Sequence, residues 1–152
     1  MTTTYLPAAR PASNMSMQRQ AKFTWIPSSV PYYLNLGKDG VLERLQYRVR
    51  GKAIIYAIRC QVTNMVYVGS TLNPGRRLYL HLVKGQQSNI RLQSAIRQYG
   101  INKVTAYILE VVEFPKGLTY MQRKAYLRGV EQTHMDRFPK AQLYNTIRSV
   151  KA

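Results

Sequence analysis

Acidic residues are scarce in this sequence: six Asp and Glu stand against 23 Lys and Arg in 152 residues, a formal charge of +17. Such a body repels itself. The repulsion becomes affinity when basic side chains displace the counterions condensed on phosphates, so a nucleic acid is the expected partner. Cysteine is almost absent. The single Cys60 excludes an internal disulfide framework and any zinc site built from several cysteines, suits a reducing intracellular compartment, and reads as a small hydrophobe at a strand end. No apolar run reaches membrane length and no polybasic amphipathic helix occurs, so no membrane partner is expected. After residue 50 the acids are Glu110, Glu113, Glu131 and Asp136, which leaves no material for a site rich in carboxylates.

What remains is enough to fold: 45% of residues are hydrophobic, and the length suits one domain with appendages. Residues 1–50 carry Pro7, Pro11, Pro27 and Pro31, scattered aromatics and no sustained period, and read as an extended basic N-terminal arm. Such an arm suits contacts with nucleic acid or with other proteins. Val41 to Tyr47 adds a short helix before Gly51. The first 38 residues hold Arg10, Arg19, Lys22 and Lys38 but no acid, with many Ser and Thr, the composition of a mitochondrial or other organellar transit peptide.

Residues 51–152 read as the folded domain. Ala53–Arg59 and Met65–Gly69 are β-branched and aromatic runs around a polar Cys60–Asn64 and form a β-hairpin. From Asn73-Pro74-Gly75 a helix extends through Lys84, with Leu78 and Leu82 four apart and Gly85 closing it. Ser88 offers an N-cap to the next helix, in which Leu92, Ala95, Ile96 and Tyr99 hold one face and Gly100 supplies the stop. Val104–Val112 is strand-like, Thr119 to about Phe138 is a long helix, and Leu143–Ile147 is short and strand-like or irregular. The fold class is α+β: a small antiparallel sheet flanked by helices.

Several segments in this order resemble the GIY-YIG nuclease family. Ile54-Ile55-Tyr56 stands at the first signature and Tyr67-Val68-Gly69 at the second. Arg77 and His81 follow on one helix, then the Ser88–Gly100 helix, then Glu131 and Asn145. The resemblance implies a catalytic set of Tyr56, Tyr67, Arg77, His81 and Asn145. One tyrosine helps to activate water, and the other positions water or the scissile phosphate. A phenol with a pKa of about 10 is a poor base at neutral pH, so Tyr56 needs nearby positive charge from His81 or a metal; alternatively His81 is itself the base or proton relay. Arg77 and His81, four apart, share one side of a helix against a phosphate, and Arg77 stabilises charge on its oxygens. Glu131 is the implied ligand of a single Mg²⁺ or Mn²⁺, an ion commonly held by one or two carboxylates plus water and phosphate. Asn145 orients Glu131 or the phosphate. Gly69 permits close backbone approach, and Arg76, Lys84, Arg91 and Arg97 are candidate nucleic-acid contacts.

Two departures stand out: Ile54 replaces the glycine that opens the first signature, and Gln87 stands where some members place a further His or Asn. Homing endonucleases of the family usually carry a linker and a DNA-recognition module; no helix-turn-helix or zinc module follows Asn145 in this sequence. The leading expectation is a metal-dependent endonuclease cutting DNA. The alternative is a nuclease fold recruited as a non-enzymatic RNA-binding structural protein, for example against rRNA in an organellar ribosome.

Overall fold

The run Ala53–Cys60 does not alternate between apolar and polar residues, and a strand of that texture is stable only where both its faces are covered. In the structure, a computed structural model that describes residues 26–86 and 89–145, this run is β2, and all eight of its residues are buried. It pairs antiparallel with β3 (Val66–Thr71) on one side and with β4 (Val104–Val112) on the other. A two-residue strand β1 (Tyr32–Tyr33) borders β4, giving the order β1-β4-β2-β3. The expected hairpin is therefore present, and its turn places Asn64 at φ 63°, a conformation that asparagine tolerates better than most residues.

The period of two sends alternate β2 residues to two cores. Ile54, Tyr56, Ile58 and Cys60 pack with Leu45 and Val49, with Leu78 of α2 (Pro74–Tyr79), and with Leu92 and Ala95 of α3 (Ile90–Tyr99). On the opposite face Ile55, Ala57, Val66 and Val68 pack with Leu127 of α4 (Tyr120–Met135) and with Phe138 and Leu143. The α+β class holds, with the four α-helices of the described residues divided between the faces. No helix of the described residues is long and apolar enough to cross a membrane.

Residues 26–50 are packed rather than extended as expected of residues 1–50, and the short helix expected at Val41 to Tyr47 is present. Helix α1 (Val41–Arg48) buries Val41, Leu42 and Leu45, and Tyr33, Leu36 and Val49 join the same core. The apolar residues that looked scattered meet in space because a strand, a turn and a helix each contribute a few. The transit-peptide composition lies mainly in residues 1–25, outside the described residues.

The start of α3 also differs. Ser88 lies outside the described residues, and the cap is Asn89, whose side-chain oxygen accepts from the backbone N–H groups of Arg91 and Leu92 at 2.9 and 3.0 Å. Its amide nitrogen donates to the Tyr144 carbonyl, so the cap also holds the C-terminal segment, which the sequence offered no means of seeing. Thr119 caps α4 with a reciprocal pair to Gln122. Phe138 falls beyond the end of α4 but is buried, which accounts for the longer helix expected there.

Candidate active site

The hairpin register sets Tyr56 opposite Gly69, and Ile58 opposite Tyr67, so both tyrosines stand on the same face of the sheet. Their ring centroids are 6.3 Å apart. The helix after Pro74 does not run regularly to Lys84; α2 widens at Leu80–Lys84 into a π-helical turn, and a wide turn of this kind is frequent at functional sites. Gln93 fastens it by donating to the His81 carbonyl at 2.7 Å. The turn carries the His81 ring inward, 5.8 Å from Tyr56 and 5.1 Å from Tyr67.

Arg77, one turn earlier and half-buried, donates from Nε to the Tyr56 hydroxyl at 3.4 Å and also engages Tyr67. Burial raises the Tyr56 pKa above the usual tyrosine value, Tyr67 adds to the rise, and Arg77 only partly opposes it. The phenol therefore keeps its proton. His81 is fully buried, and burial with the Arg77 charge beside it lowers its pKa to about 3. A neutral imidazole supplies no positive charge to Tyr56, and one of so low a pKa is a weak base. The expectation that His81 would depress the Tyr56 pKa is thus corrected: the positive charge at the tyrosines is that of Arg77.

A cleft of about 550 Å³ opens beside this cluster, along the edge of β3. Tyr67 and Arg77 reach it from the hairpin and α2, and Arg76 stands at its rim. Glu131 enters from α4 on the other face of the sheet, where its Oε1 accepts from the Ser70 hydroxyl of β3. The cleft thus joins Arg77 and Glu131 around a strand edge, although they lie 54 positions apart in the sequence. Tyr56 and His81 form its second layer.

Asn145 is bonded to the backbone of the strand β3. Its Oδ1 accepts from the Val68 N–H at 3.0 Å and its Nδ2 donates to the Val68 carbonyl at 2.8 Å, so both ends of its amide bond β3 and one N–H and one lone pair remain. Tyr144 N–H bonds the Val66 carbonyl beside it, and Leu143 bridges Val66. The segment acts as a partial fifth strand along the β3 edge at Val66 and Val68, with the cleft opening at Ser70 and Thr71. In this arrangement Asn145 ties the C-terminal segment to β3.

Gly69 is buried beneath the tyrosine rings and does not line the cleft, so close approach there is to Tyr56 rather than to a ligand. Lys84, Arg91 and Arg97 are exposed but stand outside the cleft. Lys84 lies over the Tyr79 ring, and Arg91 lies over Tyr144, 5.7 Å from its ring centroid.

Sequence reading missed Tyr120, Lys124 and Arg128, which line the cleft from α4 together with Leu127 and Glu131. Their spacing carries the signal: from Glu131, steps of three, four, seven and eleven back along a helix stay on one side. No other carboxylate lines the cleft, and among the described residues no group of three His, Cys, Asp or Glu side chains is placed to hold a metal.

Residues 52–126 match the GIY-YIG catalytic domain. The chain belongs to the GIY-YIG nuclease family. It is 31% identical over 111 residues to a protein of Neurospora crassa named probable intron-encoded endonuclease 1; the aligned part is 73% of this chain and 35% of that protein, so the chain spans about a third of the relative's length. No solved structure matches the chain significantly. The GIY-YIG match begins at Lys52 and ends within α4, before Glu131, so α1 and the last turns of α4 lie outside it.

Proposed function

We propose that this GIY-YIG domain is a metal-dependent endonuclease that hydrolyses phosphodiester bonds of DNA. The observation that carries the reading is the meeting of Arg77 and Glu131 at one cleft: a fixed guanidinium and a lone carboxylate, with Arg76, Lys124 and Arg128 around them. Phosphate needs the cations, and a hard divalent ion needs the carboxylate.

Glu131 fits a single Mg²⁺ or Mn²⁺, because one carboxylate suffices when water and phosphate oxygens complete the shell and the cleft is open enough to admit them. When bound, such an ion polarises a phosphoryl oxygen and lowers the pKa of its water. Ser70 keeps the Glu131 carboxylate facing the strand edge through its hydroxyl. Arg77 places paired N–H donors against the non-bridging oxygens, where charge grows as water attacks phosphorus. Tyr56, its proton retained, fixes Arg77 from behind, and Tyr67 is the phenol that reaches the cleft and positions the water or the scissile phosphate. Arg76, Lys124 and Arg128 contribute affinity along the strand without reading its sequence.

The test is incubation of purified protein with supercoiled plasmid and, in parallel, structured RNA, in Mg²⁺ or Mn²⁺ and in chelator. Plasmid nicking or linearisation that needs the ion is the expected result. Tight RNA binding with no cleavage of either substrate would replace this reading with that of a recruited RNA-binding protein.

A further inference from the structure

A second recess, of about 290 Å³, adjoins the cleft, and the two share Asn73. Its walls are Glu43, Gln46 and Tyr47 of α1, Arg50 just after it, and Asn73 and Gly75 at the start of α2. Helix α1 lies outside the residues that match the GIY-YIG domain, whereas Asn73 and Gly75 lie within them. Gln46 donates to the Gly75 carbonyl at 2.9 Å, which fixes α1 against the helix that carries Arg76 and Arg77. The two recesses are therefore held in one frame.

Tyr47 is 72% exposed, while Leu42 and Leu45 of the same helix are buried. Its ring carries the Arg50 guanidinium 5.2 Å from the centroid, a stacked pair displayed to solvent rather than packed in the core. We propose that this recess takes one nucleotide of the bound strand, flanking the nucleotide held in the cleft, with its base stacked on the Tyr47–Arg50 pair. Every base offers a π face to an aromatic ring and to a guanidinium plane. Arg44, Arg48 and Lys52, exposed nearby in sequence, add phosphate affinity, and the Glu43 carboxylate, which repels phosphate, accepts from base amino groups and so sets the base on that wall. The proposal rests on the nuclease reading for the strand's presence in the cleft.

The experiment uses the full chain with Glu131→Gln to prevent cleavage, and short single-stranded and duplex DNA carrying 2-aminopurine at successive positions. Tyr47→Ala weakens binding about tenfold, the order of one stacked base, and abolishes the quenching seen at one labelled position. Tyr47→Trp restores both, and all variants keep the parent melting temperature because Tyr47 is exposed. Binding and quenching unchanged in Tyr47→Ala overturn the proposal. Cleavage by the chain with Glu131 intact is scored separately. A protein that cuts DNA while Tyr47→Ala changes neither binding nor quenching loses this recess alone. One that holds the labelled base through Tyr47 but never cuts keeps the recess and loses the nuclease reading, and a chain that binds no DNA loses both.

Discussion

The ring of Tyr56 lies where a side chain at Gly69 would have to be. A Cβ at Gly69 would stand 2.6 Å from both Cζ and the hydroxyl oxygen of Tyr56, and 2.9 Å from a ring carbon of Tyr67. Because the Tyr56 hydroxyl receives Arg77, the missing side chain at position 69 sets where the guanidinium stands. Gly69→Ala therefore destabilises the fold by about 1–3 kcal/mol through overpacking. It also lowers cleavage beyond what the unfolded fraction explains, which is checked by comparing melts with rates measured well below the transition. A folded variant cutting at the parent rate contradicts the link from Gly69 through Tyr56 to Arg77.

Arg77→Lys keeps a positive charge but loses the planar pair of donors. Its rate is expected to fall about 10²- to 10³-fold, close to the loss in Arg77→Ala, because a point charge does not reproduce the fork. Tyr56→Phe costs less, since it removes a hydroxyl that supports Arg77 and does not touch the cleft. Single-turnover rates rank the three variants, and a Tyr56→Phe loss equal to that of Arg77→Ala would give the phenol a direct part in the chemistry.

His81 ties stability to pH. Its folded pKa, about 3, lies below the ordinary 6.5, so between these values the unfolded chain binds more protons than the folded one. The stabilising contribution is complete above about 6.5 and is lost as pH falls toward 3. Denaturant unfolding at a series of pH values is expected to show parent stability dropping across that window, with a shallower drop in His81→Phe. Parallel profiles for the two proteins would contradict a buried neutral imidazole.

Asn145→Ala removes both bonds to the Val68 backbone, at a cost of about 1–3 kcal/mol. Hydrogen exchange at the Val68 amide should accelerate more than at Ala57, its partner in β2. Cleavage by the folded fraction should persist at reduced rate. Complete loss of activity in a fully folded Asn145→Ala protein would give Asn145 the direct role expected from the resemblance.

The sequence made the hairpin, the glycine stop at Gly100 and the order of Tyr56, Tyr67, Arg77, His81 and Glu131 legible, because periodicity and signature spacing are local signals. What it concealed depends on meetings across the chain. Asn145 and Val68 pair only after the C-terminal segment folds along the β3 edge. His81 looked like a charge donor because burial is not written at its position. Leu36 appeared to belong to an arm, and the helix expected at Val41 to Tyr47 showed no core of its own, since their core partners lie on β2 and beyond. Lys124 and Arg128 were readable in principle from the helical spacing back from Glu131, but only once that helix was known to face the cleft.

The most direct measurement of the central claim is single-turnover cleavage of supercoiled plasmid in Mg²⁺ by the parent chain and by Glu131→Gln, each shown to be folded and to bind DNA. The parent is expected to cut and to stop cutting in chelator, while Glu131→Gln binds without cutting. Equal cleavage by the two proteins, or none by the parent in either Mg²⁺ or Mn²⁺, contradicts the account.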